Sequence, residues 1–200
     1  RNSLLAMPAA APVRASSTEL PRLTEKFDGT NVPAALQGRD LWKAVQAPLQ
    51  SAPGKRSKAE YAQVVLQFGV TNNPRYADDA PGKGRGHIFV WDVSRAMGCE
   101  IPHFVGAKEL SLVQTCDWLR HEGPMRGWKR LNDYEVIEAA NAGYLVVVMP
   151  KDRANRHIAI VAPQEDTNRP LLTGVGLTRS NGAQARELFG TQPLECFFHD

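Results

Sequence analysis

The chain reads as an α+β domain in which helices come first and an antiparallel sheet follows. Two observations predict this. Through about residue 140, apolar residues recur at three- and four-residue spacing, as in Tyr61, Val64, Val65 and Phe68. Beyond Asn141-Ala142-Gly143 the pattern changes to short β-branched runs divided by turns, starting with Tyr144-Leu145-Val146-Val147-Val148-Met149. Helices in one block and strands in the next predict helices packed on an antiparallel sheet, not an alternating parallel fold.

The elements follow in order. Residues 1–34, with Pro8-Ala9-Ala10-Ala11-Pro12, show little periodicity and read as an Ala/Pro-rich linker or arm, leaving 35–200 as the domain. Leu36, Leu41, Ala44 and Val45 predict a helix that ends before Pro48. Ser57 and Glu60 form a Ser-x-x-Glu capping box ahead of the stripe Tyr61, Val64, Val65 and Phe68, and Asn73-Pro74 stops that helix. A polar, Gly-rich loop covers 78–86. Its Gly82-Lys83-Gly84-Arg85-Gly86 lacks both Walker spacing and a preceding strand, so no phosphate loop and no cofactor are expected.

A third helix is predicted over 87–97, with Phe89, Val90, Val93 and Met97 on one face and Gly98 at its end. Gly86 begins that same inward face. Leu110, Val113, Asp117 and Trp118 line a fourth helix ending near His121-Glu122-Gly123-Pro124, and Asn132 with Glu135 cap a fifth through Ala140. Strands are predicted at 144–149 and 157–161, joined by a polar turn at 150–156, and again at 171–177 and 195–199.

Composition narrows the partners. A hydrophobic fraction of 42% with 22% charged residues excludes a disordered chain and supports a sizeable core. The net charge of +3 tolerates an anionic partner without demanding one. There is no Lys/Arg stripe with interleaved aromatics, so nucleic acid is not an expected partner. No apolar run reaches the roughly 18 residues of a membrane span, so no membrane partner is expected either. The start at Arg1, without Met, suggests a processed or excised piece. Cys99, Cys116 and Cys196 lack metal spacing, so no metal site is expected; one disulfide plus a thiol, or three reduced thiols, both fit.

The chemistry suggested by the pattern is that of a cysteine hydrolase without its cysteine. A reactive thiolate is favoured at a helix N-terminus with an imidazole beside it. The chain offers such a helix start at Gly86-His87, and His157 opens the strand His157-Ile158-Ala159-Ile160-Val161. Strand alternation puts His157, Ala159 and Val161 on one face, so His157 can face the helix start while Ile158 and Ile160 fill the core.

The chain resembles the papain-like cell-wall hydrolases: NlpC-type endopeptidases, CHAP amidases and the amidase effectors of type VI secretion. The resemblance rests on Asn73-Pro74-Arg75-Tyr76, Ile88-Phe89-Val90-Trp91-Asp92-Val93 through Ala96-Met97-Gly98, Glu100-Ile101-Pro102-His103, Gly127-Trp128, Gly143-Tyr144-Leu145-Val146-Val147-Val148 and His157-Ile158-Ala159-Ile160-Val161. It spans roughly residues 60–200 and implies a papain-like fold of the NlpC/CHAP type. In these families Cys, followed by Asn or Ser, directly precedes the residues like Ile88-Phe89-Val90. Here those two positions hold Gly86 and His87. The family's base matches His157, and its third polar residue falls at Gly174.

Glycine can neither attack a carbonyl nor orient an imidazole. The resemblance therefore implies a degenerate or inactivated peptidoglycan amidase that retains a groove for peptidoglycan or muropeptide. The departures at His87 and Gly174 favour natural degeneration over a deliberate change. It also implies a secreted, periplasmic or extracellular setting, and a parent secretion or phage-tail protein. Two other readings are an active hydrolase using another nucleophile and a structural or interaction module. Cys99 lies three helical turns from the site, and Cys116 and Cys196 read as core. His87, His103 and Trp128 are the candidate substrate-binding residues. Of these, His103 lines the loop after Pro102; Trp91, Trp118 and Trp128 are the aromatic residues open to a glycan groove, with Trp128 in its loop the better candidate and Trp118 at core spacing. His121 suits a helix C-terminus.

Overall fold

A computed structural model describes residues 32–36, 38–77, 84–154 and 157–200. The expected arm over 1–34 lies almost wholly outside these residues, as do 78–83 of the Gly-rich loop. The architecture is α+β: five helices and a six-stranded antiparallel sheet, with a two-stranded hairpin beside them.

The first helix, α1 (Lys58–Leu66), starts where the capping box predicts, with Ser57 Oγ accepting from the Glu60 N–H. It ends at Leu66, well before Pro74, with Gln67 at its C-cap. Asn73 instead caps a separate 3-10 turn, Pro74–Tyr76, by accepting from the Arg75 N–H. Helix α2 (Gly86–Ala96) is buried along its length except at Arg95 and the half-buried His87. A helix apolar on nearly every side belongs at the centre of a domain. A short hairpin follows, β1 (Phe104–Val105) and β2 (Lys108–Glu109). Then come α3 (Leu112–His121), β3 (Lys129–Leu131) and α4 (Val136–Asn141).

The rest of the sheet is β4 (Leu145–Pro150), β5 (Ile158–Val161), β6 (Leu171–Val175), β7 (Arg179–Gln184) and β8 (Leu194–His199), with α5 (Ala185–Phe189) after β7. The spatial order is β3-β8-β4-β5-β6-β7. Strand β4 is paired on both sides and wholly buried, which explains its unbroken apolar run. Helix α2 packs on β5 and β6, and α4 on β4 and β5. Tyr61 joins α1 to the sheet: its hydroxyl donates to Val161 O at 2.8 Å and accepts from Val146 N–H. Gly143, at φ 92°, turns the chain into β4 where a Cβ would stand 2.8 Å from the Ser57 backbone.

Several expectations need correction. The helix predicted from Leu36 to Val45 does not form; only a 3-10 turn at Ala34–Leu36 and turns near 41–43 are present. The reason is tertiary. Arg75 takes the carbonyls of Asp40 (2.7 Å) and Lys43 (3.0 Å), and the Asp40 carbonyl would otherwise serve an N–H four residues on. The fifth predicted helix starts at Val136, because Asn132 and Glu135 close a turn on each other before it. Strands β3 and β7 were not anticipated: they are the sheet's edges, and their polar composition suits that position.

Inside α2, Asp92 is fully buried and held by three donors. Arg75 donates through Nε at 2.6 Å and through a terminal nitrogen at 3.0 Å, and the Tyr76 hydroxyl donates at 2.8 Å. Burial works against the Arg75 charge, but its hydrogen bond to Asp92 prevails and raises its pKa. Burial likewise raises the Asp92 carboxyl, opposed by Arg75 and Tyr76. Removing one member strands the other in the interior, so Asp92→Ala should lower unfolding stability by about 3–5 kcal/mol in urea titrations. The double variant Arg75→Met/Asp92→Leu should lose clearly less than the sum of the single losses.

Candidate functional site

The site begins at the first turn of α2. Arg85 stands at the N-cap without a side-chain cap bond, and Gly86 follows, buried. A Cβ at Gly86 would stand 2.8 Å from Val175 O, 2.9 Å from Ile158 O and 3.4 Å from Ile158 Cγ2. Ile158 and Val175 are register partners of β5 and β6, so both carbonyls belong to a paired ladder that cannot yield as a side chain can. The helix start is seated directly on sheet backbone. A thiolate here would face two carbonyl oxygens, whose negative ends raise a thiol pKa instead of lowering it.

His157 and Gly174 flank that contact. His157 stands one residue ahead of β5, half-buried, with its ring 6.2 Å from that of Phe189 in α5. The atoms nearest a Cβ on Gly86 come from Ile158 and Val175, so the helix start makes a backbone contact with the sheet beside His157. Gly174 pairs with Ala159, and a Cβ on it would stand 2.9 Å from Ala159 Cβ. The three positions named from the sequence thus meet at one corner, and the two glycines are there because backbone and Ala159 leave no room for more.

His87 and His103 do come together. Their ring centroids are 5.5 Å apart, and His103 also lies 4.8 Å from Trp91 and 4.6 Å from Phe104. His103 is 1% exposed, so it sits inside this cluster and does not line a loop. Glu109 Oε1 is 3.1 Å from its Nε2 but lacks hydrogen-bond geometry. Burial lowers both imidazoles to about 4, helped at His87 by His103 and Arg85 and at His103 by Arg75. Both are neutral near pH 7. Phe104 continues outward to Trp42, ring centroids 5.8 Å apart, and Trp42 is 64% exposed. Trp42 falls within the predicted first helix; that segment is irregular, and Trp42 stands exposed beside the cluster.

Trp128, expected on an open loop, is buried just before β3, and Trp118, expected at core spacing, is half-buried and packs against the core; both contribute to the wall of a cleft. Gly127, left-handed at φ 89°, folds the chain so that the indole turns inward against His199, 5.4 Å between centroids. His199, without a role in the sequence reading, accepts Arg56 at its carbonyl and contacts Arg126 O.

The alternative nucleophiles are not activated. Cys99, Cys116 and Cys196 are free and buried, and burial pushes each thiol up to about 12. Among the described residues no three His, Cys, Asp or Glu side chains group to hold a metal ion, and no helix is long and apolar enough to cross a membrane. No protein-family model matches the sequence, and no curated protein matches it.

Two outcomes follow from this geometry. Gly86→Ala should destabilise the fold by about 1–3 kcal/mol in denaturant titrations, because the added methyl meets fixed carbonyls. Above pH 6.5 the buried His103 is neutral whether folded or unfolded. Between pH 6.5 and about 4 the unfolded chain binds the proton that the folded chain refuses, so stability falls as pH falls through this window. The loss at His103 is on the order of 3 kcal/mol. His103→Phe should abolish it, so unfolding free energies of the two proteins should differ constantly above that window and converge or cross within it.

Proposed function

We propose that this chain is a papain-like cell-wall amidase or endopeptidase domain, of the NlpC, CHAP or type VI effector type, that has lost its nucleophile. It binds the peptide part of peptidoglycan outside the cytoplasm and does not cut it. The observation that carries the reading is the corner where the first residue of α2, Gly86, meets the start of β5 next to His157 and the end of β6 next to Gly174. A hydrolase of this kind needs a thiol, an imidazole and an orienting polar group at those three positions. Here the positions adjoin, and two of them hold glycine. The carbonyls of Ile158 and Val175 close the space a nucleophile would take. Binding then falls to the ledge beside the first turns of α2, where half-buried His87 leads through His103 and Phe104 to exposed Trp42.

Sedimentation with purified sacculi, combined with chromatography of the supernatant, tests the reading. The chain should pellet with sacculi and release no muropeptide. Trp42→Ala should weaken binding about fivefold without loss of stability, since the ring is exposed. Gly86→Cys should gain no turnover. Fragment release by the unaltered chain would show an active hydrolase, and a chain that stays in the supernatant would remove the retained groove.

A further inference from the structure

A cleft of about 750 Å3 opens at the other end of α2, beside Gly98 and Cys99. Along the helix this is roughly 18 Å from Gly86, so it lies away from the corner just described. Its volume falls within the range of small-ligand clefts, about 300–1,000 Å3. Three aromatic rings from separate elements contribute to its wall: Phe104 in β1, Trp118 in α3 and Trp128 before β3.

The polar groups of the wall are of two kinds. Glu100 is occupied, accepting from Trp91 Nε1 at 2.8 Å and from Arg95 at 3.0 Å. Glu122 and Arg126 are exposed, and their side chains make no hydrogen bond or ion pair among the described residues. The indole N–H groups of Trp118 and Trp128 also lack a protein partner among these residues. Trp128 is 2% exposed, with part of its surface in the wall of the cleft. A hollow walled by aromatic rings and edged by a free carboxylate and a free guanidinium is suited to a ligand that joins an apolar face to polar groups.

Charge and shape select the class. With Glu100 neutralised by Arg95, the free charges of the wall are one carboxylate, Glu122, and one guanidinium, Arg126, so neither a phosphate or polyanion nor a lone ammonium group is favoured. A sugar ring matches what remains. Its C–H face packs on an aromatic ring, and adjacent hydroxyls take paired hydrogen bonds from a guanidinium and give them to a carboxylate. We propose that this cleft binds a neutral oligosaccharide. The site goes beyond the peptide-binding reading and does not depend on it.

Titration of the full chain with chitotetraose, the soluble β-1,4-linked tetramer of N-acetylglucosamine, and with cellotetraose tests the proposal by indole fluorescence and calorimetry. Saturable binding with a Kd of about 0.1–1 mM is expected for at least one of them. Binding of both assigns the contact to rings and hydroxyls; binding of chitotetraose alone adds the acetamido group. Glu122→Gln and Arg126→Met should each weaken binding about tenfold, and Trp118→Ala should abolish it. Glu122 is exposed, so its variant keeps the test decisive even where Trp118→Ala unfolds. Trp42 lies outside the wall and packs on Phe104, so Trp42→Ala should weaken a sugar-free stem peptide more than it weakens either sugar, which separates this site from the ledge beside Gly86. No signal up to about 10 mM of either sugar, unchanged binding in Glu122→Gln and Trp118→Ala, or a response to choline in place of sugar would overturn it.

Discussion

A carboxylate sealed inside a central helix has to be satisfied by neighbours, and Asp92 sets that demand for the first half of this domain. Water cannot reach it, so its charge persists only with donors on both oxygens. Arg75 supplies two and the Tyr76 hydroxyl a third. Burial also raises the Tyr76 pKa, so the phenol keeps the proton it donates. The remaining guanidinium donors reach the carbonyls of Asp40 and Lys43. Asn73 fastens the same corner, donating to Leu36 O and Phe68 O while its own side-chain oxygen caps the 3-10 turn. One ion pair thereby ties an irregular segment, a tight turn and the central helix together. It also sets where Trp42 stands.

The seating of α2 on the sheet follows a different rule. The helix start comes to rest on the paired carbonyls of Ile158 and Val175, a contact open only to a residue without a Cβ. Gly174 meets the same constraint against Ala159. Close backbone packing leaves no gap for a side chain at either position. Polar groups lie elsewhere: in the neutral pair His87 and His103, and in the cleft beyond the other end of the helix.

Much of the fold was legible. The capping box at Ser57, the apolar face of α2 and the β-branched run of β4 each place an element close to where it forms, because each signal is local. Ser111 with Gln114 forms a capping box at α3 that could have been read in the same way. The segment 36–45 misled because its apolar spacing is helical, while its carbonyls are claimed by Arg75 from far along the chain. Trp128 is more buried than its loop position suggests because a left-handed Gly127 turns its indole inward. A clue to the buried pair was present: Asp92 interrupts an otherwise apolar run from Ile88 to Val93, and a charge there requires a partner.

By itself the sequence determined the class of the fold, the positions of its main helices and strands, and the absence of a thiol at the start of α2. These depend on periodicity, capping and residue identity, which act over a few residues. Only the tertiary structure decided that Gly86 is pressed against two carbonyls, that the imidazoles of His87 and His103 are neutral, and that Glu122 and Arg126 edge an aromatic cleft. Those properties arise from burial and from distances between elements remote in the chain. No local pattern encodes them, because desolvation and close contact exist only once the sheet and helices have packed.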